Sequence, residues 1–119
     1  MNIEERGALL SKNLEKLYEQ HWRNSGVERK IHVVAYSFCG IDARAAISLY
    51  GANKYVSSLT TICTPHLGLQ LIDNYNRNRN RHNLEEMDRP LEILGISMKN
   101  VMEFGELNMT AFNEVAEDQ

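Results

Sequence analysis

The chain has 119 residues, 43% of them hydrophobic, and a formal net charge of −3. That length supports one modest domain, and the acidic balance gives no reason to expect nucleic acid or an anionic membrane as a partner. No apolar run approaches the ~20 residues of a membrane-spanning helix, and the two cysteines, Cys39 and Cys63, lack the spacing of a zinc site or a disulfide framework.

Met1-Asn2-Ile3-Glu4-Glu5 is acidic and has no basic-then-apolar start, so no secretory leader is read there. With two unpaired cysteines, the expectation is a reduced, soluble, intracellular chain. Asn2 followed by Glu5 reads as a capping box that opens a helix. Leu10, Leu14, Leu17, Tyr18, His21 and Trp22 recur at helical spacing and predict one apolar stripe, with Trp22 at its edge. Lys12, Glu15, Lys16 and Glu19 fall on the other face as a solvated surface. Gly26 is the expected stop.

Residues 30–36 form a short apolar run with β-branched members, as in a strand buried on both faces. The run breaks at Ala35-Tyr36-Ser37-Phe38-Cys39-Gly40, and a helix rich in alanine is expected over 41–50, ended by Gly51. A second strand is expected over 57–63. The two strands should lie parallel with a right-handed crossover. Adding the first helix gives a three-layer α-β-α slice of a doubly wound sheet.

A strand that turns sharply into a helix at a serine has the layout of a nucleophile elbow. Such a turn lifts the Ser37 hydroxyl above the sheet and needs small residues two positions before and after it. Ala35 meets that demand, whereas Cys39 meets it less well, so a bulky side chain at 39 is expected to strain the turn. The helix that follows aims its N-terminal N–H groups at the serine, where negative charge develops during acyl transfer. The competing reading is an ordinary hydroxyl that caps a helix.

A second stretch, Leu59-Thr60-Thr61-Ile62-Cys63-Thr64-Pro65-His66-Leu67-Gly68, bears on that choice. Together with Ile41-Asp42-Ala43-Arg44 after the serine, it resembles the triacylglycerol lipases of the α/β-hydrolase superfamily. Those enzymes carry a Gly-His-Ser-x-Gly-Gly turn, then Leu-Asp-Ala-Arg, then a strand that ends in Thr-Thr-Ile-x-Thr-Pro-His-x-Gly. The resemblance covers about residues 4–73 and returns weakly over 107–113. This sequence departs from the pattern at Ala35, where a Gly is usual, at Tyr36 for His and at Cys39 for Gly.

The resemblance implies an α/β fold, specifically a partial α/β-hydrolase fold, and a serine carboxylic-ester hydrolase that acts on lipid or other esters without metal or cofactor. It makes Ser37 the nucleophile and Phe38 the donor of one oxyanion N–H. Ala35, Cys39, Gly40, Thr64, Pro65, His66 and Gly68 become structural positions of the motif. His66 is then a loop-bracing residue, since the family's catalytic base lies much later in the chain. After Ser37 the sequence offers Asp42, Asp73, Asp88 and Asp118 as acids and only His66 and His82 as bases, none with a triad-like setting. The second oxyanion donor belongs to an earlier loop that has no counterpart here. The sequence therefore reads as the middle of a lipase.

Residues 1–75 are expected to form the hydrolase core fragment, with a short helix over 69–75. Residues 76–83 are a polar loop of alternating Asn and Arg without the interleaved aromatics of an RNA-binding segment. Residues 84–119 form a helical segment that resembles a lipase cap. Leu91, Leu94, Met98, Val101 and Met102 sit at helical spacing before Gly105, and Met98, Met102 and Phe104 are either acyl-channel lining or plain core. Asn108-Met109-Thr110 matches a glycosylation sequon, and the match is expected to be chance because no secretory signal is read at the start of the sequence. Two functions are carried forward, a lipase-like hydrolase and a non-catalytic relative that serves as an interaction module. In either, both sheet edges are expected to be open, which favours self-association.

Overall fold

The structure, a computed structural model, describes residues 1–70 together with 73, 109 and 113. The chain divides into two compact units, residues 1–66 with 115–119, and residues 67–114. The loop expected over 76–83, the cap-like segment with Met98, Met102 and Phe104, and most of the helix expected over 69–75 lie outside the described residues.

Helix α1 runs over Ile3–Ser25. The capping box that opens it is reciprocal. The Glu5 N–H donates to Asn2 Oδ1 at 2.8 Å, and the Asn2 N–H donates to Glu5 Oε2 at 3.1 Å. Gly26 closes the helix in the left-handed region (φ 66°), with its N–H on the Trp22 carbonyl.

The buried face of α1 is Gly7, Ser11, Leu14 and Tyr18. Leu17, His21 and Trp22, expected on the apolar stripe, are exposed. The helix is rotated because its neighbour comes close, and close approach selects small residues. A β-carbon added at Gly7 would lie 2.7 Å from that of Ala45. Ser11, buried by the same approach, stays satisfied by donating its hydroxyl to the Tyr50 carbonyl at 2.7 Å.

Strand β1 spans Ile31–Tyr36, helix α2 spans Cys39–Ser48, and strand β2 spans Val56–Ile62. Helix α2 starts two residues earlier than the sequence indicates, so the turn at Ser37 is shorter than expected. Gly51 adopts φ 76° after α2, and a 3-10 turn over Ala52–Lys54 leads into β2. The strands pair in parallel, from Ile31 with Val56 to Tyr36 with Ile62, with one irregularity between Ile31 and His32. This is the α/β class read from the sequence.

The core forms on one face of that sheet. Leu14, Ala46, Ala52 and Val56 are buried together, with Leu10, Ile31, Val33 and Ile47 packed against them. Helices α1 and α2 therefore cover the same face. They are tied by Arg6, whose Nε donates to both carboxylate oxygens of Asp42 at 3.0 and 2.9 Å. Beyond α2, the Tyr55 hydroxyl donates to Glu15 at 2.6 Å and the Tyr18 hydroxyl to Glu28.

The three-layer slice is met in part: among the described residues the sheet carries helices on one side only. On the opposite face Val34 is 68% exposed, Tyr36 66% and Ile62 46%. Strand β1 accordingly alternates in burial, where the apolar run implied cover on both faces. Among the described residues the sheet has two strands, so each keeps an outer edge without a strand neighbour. In the second unit, Asp73 and Met109 are buried, and Gly68 adopts φ 85°.

Candidate active site

The parallel register brings the two strand exits side by side, since Tyr36 and Ile62 are the last pair. Each strand is followed by a non-glycine residue in the left-handed region, Ser37 at φ 54° and Cys63 at φ 53°. For an L-residue that conformation costs about 1–2 kcal/mol, so it persists only where surrounding contacts impose it. Nothing in the sequence marks Cys63 for it.

Among the described residues, three hydrogen bonds hold Ser37. Its N–H donates to the Ile62 carbonyl at 2.8 Å, one bond past the ladder. Its carbonyl accepts the Gly40 N–H at 3.1 Å and the Thr64 hydroxyl at 2.7 Å. Phe38 is the N-cap of α2 and is already helical, so the chain passes from extended to left-handed to helical within three residues. Ala35 is buried beneath the turn.

Cys39 is exposed, and the expectation that it occupies the tightest point of the turn is corrected. That point is Gly40, where an added β-carbon would meet Thr64 Oγ1 at 2.2 Å, Cγ2 at 2.7 Å and Cβ at 2.9 Å. Cys39 begins α2 and projects to solvent. One residue further, a helix has turned by about 100°, and position 40 faces the exit of β2. Small size is demanded at 40, not at 39.

His66 folds back over β2. Its Nδ1 lies 3.1 Å from Arg44 on α2, and its Nε2 lies 3.0 Å from Thr61 Oγ1 on β2. A guanidinium can only donate, so Nδ1 accepts, and Nε2 carries the proton and donates to Thr61. Both ring nitrogens are thus engaged by Arg44 and Thr61 rather than by Ser37. The His66 N–H also donates to the Thr64 carbonyl at 2.9 Å. Arg44 and Thr61 lie within the sequence motifs, but nothing in those motifs assigns either of them a role. A donor-only side chain about two helical turns after Ser37 is the signal available for Arg44.

Burial, and then the Arg44 charge beside the ring, lower the His66 pKa below 6.5. The fold therefore favours the neutral ring. Stability from this source is complete above pH 6.5 and is lost as pH falls from 6.5 through the lower, folded pKa, because the unfolded chain binds the proton first. His66→Gln, which keeps one acceptor and one donor but does not titrate, is expected to flatten this fall. Urea midpoints measured above and well below pH 6.5, for both proteins, check it. An equal fall in both would remove His66 as the cause.

Of the acids considered, Asp42 is held by Arg6, and Asp73 is buried in the second unit. Asp88, Asp118 and His82 lie outside the described residues. No group of three metal-ligating side chains occurs among the described residues, and no described helix is long and apolar enough to cross a membrane.

No protein-family model matches the sequence, and no curated protein matches it. Among solved structures, the chain is similar to Bacillus licheniformis lipase BlEst2. With the mature form the likeness has a TM-score of 0.77 at 27% identity and covers 100% of this chain and 43% of that one. With the propeptide form the TM-score is 0.73 at 27% identity, over 99% of this chain and 23% of the other. The chain thus spans less than half the length of the lipase it matches. Its fold is a lipase-like α/β fold, and the likeness supports a hydrolase-like relationship.

Proposed function

We propose that this chain is the central part of a lipase-like serine carboxylic-ester hydrolase, with Ser37 as nucleophile. One observation carries the reading: Ser37 is held at φ 54° between a parallel strand and a helix N-terminus, in a fold similar to a lipase over the whole chain. In this reading the turn is a nucleophile elbow. Ser37 Oγ attacks the ester carbonyl, a base takes its proton, and the N–H of Phe38 meets the oxyanion. The bond from carbonyl carbon to leaving alkoxide then breaks, which leaves an acyl-serine for water or an alcohol to resolve. Lipid or other esters are the substrates, and the mechanism calls for no cofactor.

His66 and Asp42 are both committed to other partners, so neither completes the triad. Turnover of short-chain p-nitrophenyl esters by the purified chain is expected to be slight. Ser37 itself is tested by prolonged exposure to a fluorophosphonate followed by peptide mass spectrometry. Adduct on Ser37, absent from Ser37→Ala and from the urea-unfolded chain, is the expected result. Equal labelling of other serines would remove Ser37 as a special nucleophile. Rapid esterase turnover lost in Ser37→Ala would instead show that a base acts within these residues.

The second reading, a non-catalytic interaction module, is favoured by the exposed sheet face of Val34, Tyr36 and Ile62 and by two open strand edges among the described residues. Self-association through those edges follows from it. The free cysteines Cys39 and Cys63 fit a reducing, intracellular compartment.

A further inference from the structure

The peptide between Ser37 and Phe38 is where the turn's geometry and its chemistry meet. In a trans peptide the carbonyl and the following N–H lie in one plane and point in opposite directions. Whatever fixes the Ser37 carbonyl therefore also aims the Phe38 N–H. Two donors reach that carbonyl. The Gly40 N–H, at 3.1 Å, belongs to the turn itself, whereas the Thr64 hydroxyl, at 2.7 Å, comes from the adjoining strand exit.

Thr64 is well placed to impose a geometry because it is itself fixed. Pro65 restricts the residue before it to extended backbone. The His66 N–H donates to the Thr64 carbonyl at 2.9 Å, and the His66 ring is clamped between Thr61 and Arg44. The absence of a side chain at Gly40 leaves the room that Thr64 fills, since an added β-carbon would lie 2.2 Å from Thr64 Oγ1.

We propose that Thr64 is a positioning residue: its hydroxyl holds the Ser37–Phe38 peptide plane, and so sets both the left-handed turn at Ser37 and the direction of the Phe38 N–H. The strap Thr64-Pro65-His66 then orients the oxyanion donor without touching substrate. The consequence for catalysis rests on Ser37 being the nucleophile, but the placement does not.

The test is NMR of the isotopically labelled chain as wild type, Thr64→Ser and Thr64→Ala. Loss of the hydroxyl in Thr64→Ala is expected to move the Ser37 carbonyl carbon to lower frequency and to shift the Phe38 amide, while signals from α1 and β1 stay native. Thr64→Ser, which keeps the hydroxyl and drops the methyl, is expected to restore both signals to their wild-type positions. Unchanged Ser37 and Phe38 signals in Thr64→Ala would overturn the proposal. So would a Thr64→Ser variant that behaves like Thr64→Ala, because packing and not the hydroxyl would then be the cause. Should Thr64→Ala fail to fold, the wild type alone decides. A slowly exchanging Thr64 hydroxyl proton and a positive φ at Ser37 from backbone couplings support the proposal, and their absence defeats it. None of these readouts needs esterase activity. A failed fluorophosphonate test would sink the nucleophile reading and leave this one standing.

Discussion

Gly40→Ala is expected to destabilise the chain by about 1–3 kcal/mol, the usual penalty for overpacking a closed site. The gain of ~1 kcal/mol from replacing a helical glycine by alanine works in the other direction. The contacts decide the sign. A methyl at position 40 would sit 2.2 Å from Thr64 Oγ1 and 2.9 Å from its Cβ, and the Cβ cannot swing aside without moving the backbone of the strap. The same displacement strips Ser37 of its 2.7 Å bond from Thr64, so the turn should loosen as well. Combining Gly40→Ala with Thr64→Ala removes Oγ1 and Cγ2 but not Cβ. The double variant should recover part of the stability and none of the hydrogen bond. Urea unfolding of the four proteins in this cycle checks the prediction. An alanine variant as stable as the wild type would mean that α2 and the β2 exit are not closely apposed.

The same residue shows where sequence reasoning succeeds and where it stops. The order of elements was legible because it is written in local chemistry. Asn2 and Glu5 cap a helix reciprocally, Gly26 and Gly51 take the positive φ that ends a helical segment, and two β-branched runs become two parallel strands. The strand-to-helix turn at Ser37 was legible for the same reason. What sequence could not supply was rotation. A helix that starts at Cys39 instead of Ile41 turns a different side chain toward β2, and the demand for small size passes from Cys39 to Gly40. In α1, hydrophobicity points to Leu17 and Trp22, yet the helix comes close to α2 at Gly7, which periodicity of apolar residues does not register. A short apolar run with β-branched residues fits a strand buried on both faces, but such a run does not say what lies over Val34 and Tyr36.

That rotation of α1 leads to a pair of substitutions with opposite outcomes. Leu14→Ala is expected to cost about 2–5 kcal/mol, against near zero, within about 0.5 kcal/mol, for Leu17→Ala. Leu14 is 8% exposed and shares its cluster with Ala46, Ala52 and Val56, whereas Leu17 is 53% exposed. Ala46 and Ala52 are too short to move into the space a leucine leaves, whereas Leu10, Ile31, Val33, Ile47 and Val56 can relax toward it, and that partial collapse sets the cost within this range. A loss of that size is a large share of the 5–15 kcal/mol typical of a folded domain. It should also reach the candidate site, since Leu14 helps seat α2 over Val33 and Val56, and α2 carries Gly40 and Arg44. Urea unfolding with unchanged slope and a lowered midpoint for Leu14→Ala, beside a Leu17→Ala curve that overlays the wild type, is the expected pair of results. If Leu17→Ala were the costly change, the apolar stripe read from the sequence would be the true inner face, and the close approach of Gly7 to Ala45 would be wrong.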